Sequence, residues 1–289
     1  MSIKSTKGFA TLKSKHSYCT LQDRGRKAFT ALAVPMGGPM DQHAFDMANG
    51  LLCNGDEDSV LEIAAQELIL QFSKSTRVAW VAGPGEVLVN GTEVRSSIIE
   101  INAGDEIKFC YARTFTWRYL AIEGGWKGEL VLGSRSTMLS LGMPALQYLG
   151  RLQYNAKPVE GDLPLSLASY VPAVHDIPIF PGPDFHFLQT VDVKNYFAND
   201  IIIDAQSNRH AYKLKEKITV LKYPTNFESV GCVPGMVQLT PSGDLFVLMK
   251  DAQTTGGYLQ VFFIAPDQLA LLAQRLLGSR VKFQFLTSE

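Results

Sequence analysis

What this chain lacks narrows its function before any motif is considered. Charge of one sign is missing: 27 basic residues stand against 28 acidic ones, a formal net charge of -1. Such a balance supplies no electrostatic drive toward nucleic acid or an anionic membrane surface. Cysteine is scarce, and Cys19, Cys53, Cys110 and Cys232 lie far apart with no CxxC pair. That pattern points to free thiols in a reducing compartment. The histidines (His16, His43, His175, His186, His210) show neither HxH nor HExxH spacing, so no metal site is expected. No apolar run approaches the ~18 residues that a membrane span needs. The lysine-bearing stretch 1–15 has no apolar segment of the secretory-signal kind. A cytoplasmic, metal-free protein with no nucleic-acid or membrane partner is the expectation.

What is present is an ordinary globular composition, 46% apolar and 19% charged over 289 residues. That length accommodates one large or two ordinary domains. From residue 60 short apolar runs recur with turn signals between them. They are Val60 to Ile63, Glu67 to Phe72, Arg77 to Ala82, Glu86 to Val94 broken at Asn90-Gly91, Ile98 to Ile101, Ile107 to Tyr111 and Trp117 to Ile122. Asn-Gly between apolar alternations is a strong hairpin signal, and the turn at Ala103-Gly104-Asp105 suggests a second hairpin. So many strands with little helix favour closed or partly closed antiparallel barrels. Residues 155–184 are proline-rich and read as a connection, so the expected domains are 1–160 and 161–289. Further strands follow at Ile177 to Phe180, Ile201 to Asp204, Ile218 to Tyr223 and Val281 to Leu286. Asp41 is placed to cap a helix running to about Leu52. Pro266 opens another, with Leu269, Leu272 and Leu276 at helical spacing and Gly278 closing it.

The stretch that stands out is Lys250-Asp251-Ala252-Gln253-Thr254-Thr255-Gly256-Gly257-Tyr258, held between the apolar runs 245–249 and 261–264. Asp251, Gln253, Thr254 and Thr255 offer donors and acceptors to a polar ligand, and Gly256 and Gly257 allow φ > 0 or a close backbone approach. A polar hairpin that satisfies its own turn is the competing reading. The loop Val34-Pro35-Met36-Gly37-Gly38-Pro39-Met40-Asp41 feeds a helix N-terminus, the geometry of an anion site, but no GK[ST] follows it. Arg135, within Gly133-Ser134-Arg135-Ser136-Thr137, suits a carboxylate or phosphate as well as a surface ion pair. Gln22, Asp23 and Arg26 fit a buried polar knot better than a ligand site.

These segments resemble the allophanate hydrolase subunit 2 family, whose members are also described as carboxyltransferase-like or as the C component of 5-oxoprolinase. The likeness rests on blocks in the family's order: TLQDRGR at 20–26, VPMGGPMD at 34–41, HAFDMANGLLCN at 43–54, Leu61-Glu62, IEGGW at 122–126, LGSRST at 132–137, VPGMVQLTPSG at 233–243 and DAQTTGGY at 251–258. The resemblance implies a mostly β fold of two β-barrel-like (cyclophilin-like) domains with a few short helices. It implies a subunit 1 homologue (the B component of 5-oxoprolinase) as partner, possibly with the A component, and a ligand site near the junction with that partner. The implied activity is ATP-dependent opening of 5-oxoproline to glutamate, a hydrolysis of a cyclic amide C–N bond, by a chain inactive alone. On that reading Asp251, Gln253 and Arg209 are catalytic. Gly37, Gly38, Asp41, Ser134, Arg135, Gln238, Thr254, Thr255, Gly256, Gly257 and Tyr258 bind substrate or nucleotide. Fused relatives imply an alternative, carboxyl transfer from biotin to urea. No Met-Lys-Met biotinylation signature is present, so that biotin would come from another chain. A third reading is a non-catalytic regulatory binder that relieves the subunit 1 homologue's inhibition of a sensor kinase. The chain departs from the family pattern at His210, Ala211 and Lys213 and over Gly142 to Gln147, which bears on substrate choice more than on fold.

Overall fold

The computed structural model describes residues 6–81, 86–111, 115–156, 175–220, 223–224 and 227–286. The chain divides into two compact units: Met1–Arg26 with Gly37–Pro172, and Lys27–Met36 with Ala173–Glu289. The boundary expected at 160/161 lies outside the described residues. The segment 27–36, inside the first expected domain by sequence, belongs to the second unit. Among the described residues the chain is mostly β, with three α-helices.

The first unit holds two antiparallel sheets. One contains six strands in the order Arg151–Ala156, Thr6–Leu12, Leu68–Phe72, Glu106–Phe109, Val87–Val89, Thr92–Glu93. The other contains five, in the order Cys19–Gln22, Val60–Ala64, Trp117–Ile122, Thr76–Val81, Ile98–Ile101. Leu68, Leu70 and Phe72 alternate into the interior, as a half-buried strand requires. All residues of Trp117–Ile122 are buried, because the strand is central in its sheet and helix α1 (Gln42–Leu51) packs beside it. Side chains from both sheets, including Leu12, Leu61, Phe109 and Leu120, form one apolar core.

The Asn90-Gly91 turn forms as expected, with φ of 49° and 82° closing strands Val87–Val89 and Thr92–Glu93. The second expected hairpin does not form. Ile98–Ile101 pairs with Thr76–Val81 in one sheet, whereas Glu106–Phe109 pairs with Leu68–Phe72 in the other. The turn between them is therefore a corner from sheet to sheet. The Gly104 N–H donates to the Phe72 carbonyl at 2.8 Å, and the Asp105 carboxylate accepts from the Asn102 N–H at 2.7 Å.

The second unit is built on a six-stranded sheet: Ala211–Leu214, Leu245–Leu248, Met236–Leu239, Leu259–Phe263, Ile177–Pro181, Phe283–Phe285. Its last pair is parallel. Helix α2 (Thr190–Phe197) brings Phe197 against Phe262 and Phe285, and α3 (Pro266–Ala273) buries Leu269 and Leu272. The leucine spacing suggests a longer helix than the one that forms. It stops at Ala273, and Leu276 belongs to the turn that Gly278 closes at φ 84°.

Candidate functional site

Strands Leu245–Leu248 and Leu259–Phe263 do not form a hairpin, because Met236–Leu239 lies between them and pairs with both. Residues 249–258 therefore cross the end of the sheet. Within this crossing Thr255–Gly256 pairs with Val230–Gly231, which ties the two loops together. Arg209 and Asp251 meet at its start in a two-pronged pair, Nε to Oδ2 at 2.8 Å and Nη2 to Oδ1 at 2.7 Å. Their side chains are only 3% and 8% exposed. The Asp251 N–H also donates to the Arg209 carbonyl at 2.9 Å. The sequence reading has both residues contacting substrate; the structure joins them to each other, and the pair anchors the crossing.

Beyond the pair runs a relay of carboxamides. Gln238 and Gln260 face each other across neighbouring strands. Gln238 Nε2 approaches Cys232 Sγ at 3.3 Å, and its Oε1 accepts from Gln253 Nε2 at 3.1 Å. Gln260 Nε2 donates to the Gly231 carbonyl at 2.7 Å and reaches the same sulfur at 3.5 Å. Burial raises the Cys232 thiol above its ordinary pKa, opposed by the bond from Gln260. Gly256 is required here for space rather than for φ: a Cβ would stand 2.5 Å from Gln238 Nε2 and 3.0 Å from Cys232 Sγ. Gly257 has ordinary space around it, and Tyr258 is 46% exposed.

The relay borders a cavity of about 330 Å³ within the second unit. Met36, Pro234, Phe263 and Leu269 form its apolar wall, and Lys250, Gln253 and Thr254 its polar one. Cys232 also lines it. The size suits a small organic molecule, and a mostly apolar wall with a few polar groups is the usual make-up of such sites.

The expected residues of the first unit are assembled differently. Gly38 donates its N–H to Ser136 Oγ at 2.9 Å, and that hydroxyl donates to Gln22 Oε1. Met40 N–H donates to Glu62 Oε2 at 2.7 Å and Asp41 N–H to Tyr119 Oη at 2.7 Å; the same phenol donates to Glu62 at 2.8 Å. Asp41 Oδ1 caps α1 through the Ala44 N–H at 3.1 Å. The Asp23 carboxylate accepts from Gly25 N–H at 2.9 Å and from Ser134 Oγ and Arg135 N–H, both at 2.5 Å. Arg26 donates to the carbonyls of Val131 and Ser136 at 3.0 and 2.6 Å. The amides of Gly38, Met40 and Asp41 and the capping position are thus occupied by the protein's own groups. Gly37 and Gly38 have φ of 70° and 88°, and a Cβ on Gly37 would lie 2.8 Å from Ser136 Oγ. The Arg135 side chain is half-buried and turns Nε toward the Gly128 carbonyl at 3.3 Å. Burial and the neighbouring Glu62 carboxylate push the Tyr119 phenol well above its ordinary pKa.

The structure therefore gathers Arg209, Gln238, Asp251, Gln253, Thr254, Thr255, Gly256, Gly257 and Tyr258 in one unit and Gly37, Gly38, Asp41, Ser134 and Arg135 in the other. Sequence reading missed Cys232, Gln260 and Met36. Gln238 and Gln260 each interrupt an otherwise apolar strand, and a lone carboxamide in such a run is the signal that would have found the relay. Among the described residues no cluster of His, Cys, Asp and Glu suits a metal ion, and no helix is long and apolar enough to cross a membrane.

Comparison with known proteins gives this geometry its relatives. The chain is 29% identical to the 5-oxoprolinase C subunit of Escherichia coli (strain K12) over 279 residues, 92% of this chain and 87% of that protein. It is 26% identical to the corresponding 5-oxoprolinase C subunit of Haemophilus influenzae, covering 93% and 88% of the two. The crystal structure of the Kluyveromyces lactis urea carboxylase superposes with a TM-score of 0.84 at 22% identity, over 100% of this chain and 28% of that one. The chain thus shares its fold with one part of that much longer enzyme. Residues 32–285 match the family described as carboxyltransferase domain, subdomain A and B, and the chain belongs to that family.

Proposed function

We propose that this chain is the C-type subunit of a 5-oxoprolinase, an ATP-dependent hydrolase that opens the cyclic amide of 5-oxoproline to give glutamate. One observation carries the reading: the relationship to the two 5-oxoprolinase C subunits runs through most of both relatives' lengths, 87% and 88% of theirs. By contrast, the match to the urea amidolyase of Lachancea kluyveri spans 43% of this chain and 7% of that protein. On this reading the chain works in the cytoplasm with homologues of the A and B components and is inactive alone. ATP enters the reaction as co-substrate, at a site this chain need not form by itself.

The chemistry asks the protein to fix an amide and to stabilise the charge that develops as water attacks its carbonyl. Gln253, Thr254 and Lys250 supply polar groups at one wall, and the Arg209–Asp251 pair holds that wall in place. Arg209 and Asp251 thereby become positioning residues. The test is 5-oxoproline-dependent ATP hydrolysis by this chain, alone and mixed with its A and B homologues. Activity confined to the full mixture is the expected result. A complex that assembles but never hydrolyses ATP in response to 5-oxoproline would remove this reading. Carboxyl transfer from biotin, suggested by the family match and the urea carboxylase fold, would then be tested with a biotinylated carrier and urea.

A further inference from the structure

We infer that residues 28–36 form a strained lid on the cavity of the second unit, held closed here and built to open. The limits of the segment are abrupt. Arg26 is buried and donates to the Val131 and Ser136 carbonyls, and Gly38, Met40 and Asp41 are buried with their amides bonded. Between these anchors no residue from Lys27 to Met36 is buried. Thr30, Pro35 and Met36 nevertheless line the cavity, so the segment closes one side of it. Among the described residues, the hydrogen bonds of 28–36 stay within the segment. Leu32 N–H donates to the Phe29 carbonyl at 2.9 Å, Ala33 N–H to that of Thr30 at 3.0 Å and Val34 N–H to that of Phe29 at 3.3 Å. Its hold on the rest of the second unit is packing alone. No buried residue and no outward hydrogen bond is the profile of a segment that opens locally at low cost.

The backbone adds a driving force. Ala28 has φ of 71° and Ala33 of 59°, both in the left-handed region that a Cβ disfavours. Ala33 ends the 3-10 turn Thr30–Leu32, a position where glycine is the usual residue. Left-handed alanines persist where surrounding packing leaves no other choice, yet Ala28 and Ala33 are both exposed. Their strain is released when the segment lifts, and only the packing of the cavity-lining side chains opposes it. A molecule that fills the cavity adds contacts to Thr30, Pro35 and Met36 and so holds the lid down. An empty cavity lets it rise. Entry and release are thereby gated by a segment far in sequence from the polar wall at 250–254.

Cys232 reports on the lid, because it lines the same cavity and is only 4% exposed. The full chain is prepared with Cys53→Ser and Cys110→Ser, which removes the exposed and half-exposed thiols. Labelling of Cys232 by N-ethylmaleimide is then timed by mass spectrometry. Cys19 stays silent, fully buried with its thiol pushed up to about 12. Two strap variants push the lid in opposite directions. Ala28→Gly with Ala33→Gly relieves the left-handed strain, stabilises the closed lid and should slow labelling about tenfold. Ala33→Val places a branched side chain at the same positive φ and should speed labelling about tenfold. Both sites are exposed and outside the sheets, so both variants should melt with wild type. A merely flexible loop gives the reverse order, since glycine loosens a chain and valine stiffens it. A fixed wall gives three equal rates. Either of these outcomes overturns the inference, and neither depends on which molecule the cavity takes.

Discussion

Two stretches of this chain carry nearly the same residue types, and the protein uses them in opposite ways. The loop 34–41 and the crossing 250–258 both combine paired glycines with an aspartate, and both have hydroxyls and a glutamine within reach. In the first unit the bonds close on themselves: Gly38, Met40 and Asp41 give their amides to Ser136, Glu62 and Tyr119, and the Asp41 carboxylate caps α1. In the second unit Asp251 is consumed by Arg209, while Gln253 and Thr254 line a cavity. Composition marks both loops as polar and functional-looking. Only the count of partners separates a structural knot from a receptive wall.

The sharpest way to break the comparison is to remove one member of the buried ion pair. Asp251→Ala removes the carboxylate that pairs with a nearly unexposed guanidinium and should cost about 3–5 kcal/mol, read as a shift in the urea unfolding midpoint. A smaller loss would mean that the pair is less buried in solution than its geometry suggests. Next comes Tyr119→Phe, which leaves the Asp41 N–H without its phenol and Glu62 with one donor fewer. About 1–3 kcal/mol should be lost, with no effect on 5-oxoproline affinity if the first-unit network is purely structural. Tyr119 also has a pH signature. Because the folded state raises this phenol's pKa, its contribution is complete below the ordinary tyrosine pKa and is lost as pH rises through the folded value. Wild type should therefore destabilise more steeply than Tyr119→Phe in alkaline thermal melts.

Asp41→Ala removes the cap of α1 and should cost about 1 kcal/mol by the same unfolding assay, again without touching ligand affinity. The smallest effect is expected at Asp244. The Ser242 hydroxyl, then Lys213 and Lys217, hold this carboxyl below its ordinary pKa. Its stabilisation is present above the unfolded pKa and lost as pH falls through the folded one, so Asp244→Asn should differ from wild type near neutrality and converge with it in acid. Lys213, one of the family departures, thus has a structural use in this chain.

Much of this fold was legible residue by residue. Asn90-Gly91, Asp41 as a cap and the Leu269–Leu272 face followed from local rules, because turn geometry, capping and burial periodicity act over a few residues. What failed was partner choice between strands. Ile98–Ile101 and Glu106–Phe109 look like a hairpin, as do the strands flanking 249–258, but which strand lies beside which is settled by packing across the whole unit. The site divided in the same way. The residues of 251–258 were visible as a group, whereas Cys232, Gln260 and Met36 joined them only through register and through a remote segment of chain.

That remote segment has a consequence for how the protein is made and dissected. Residues 27–36 supply Thr30, Pro35 and Met36 to a cavity whose remaining lining, from Cys232 to Leu269, is synthesised far later. On the ribosome, one side of the pocket must wait through the translation of nearly the entire first unit before the other side exists. A gene truncated to encode only 173–289 would yield a second unit with its pocket open on that side. Any attempt to exchange this half between related proteins must carry the strap 27–36 along with it.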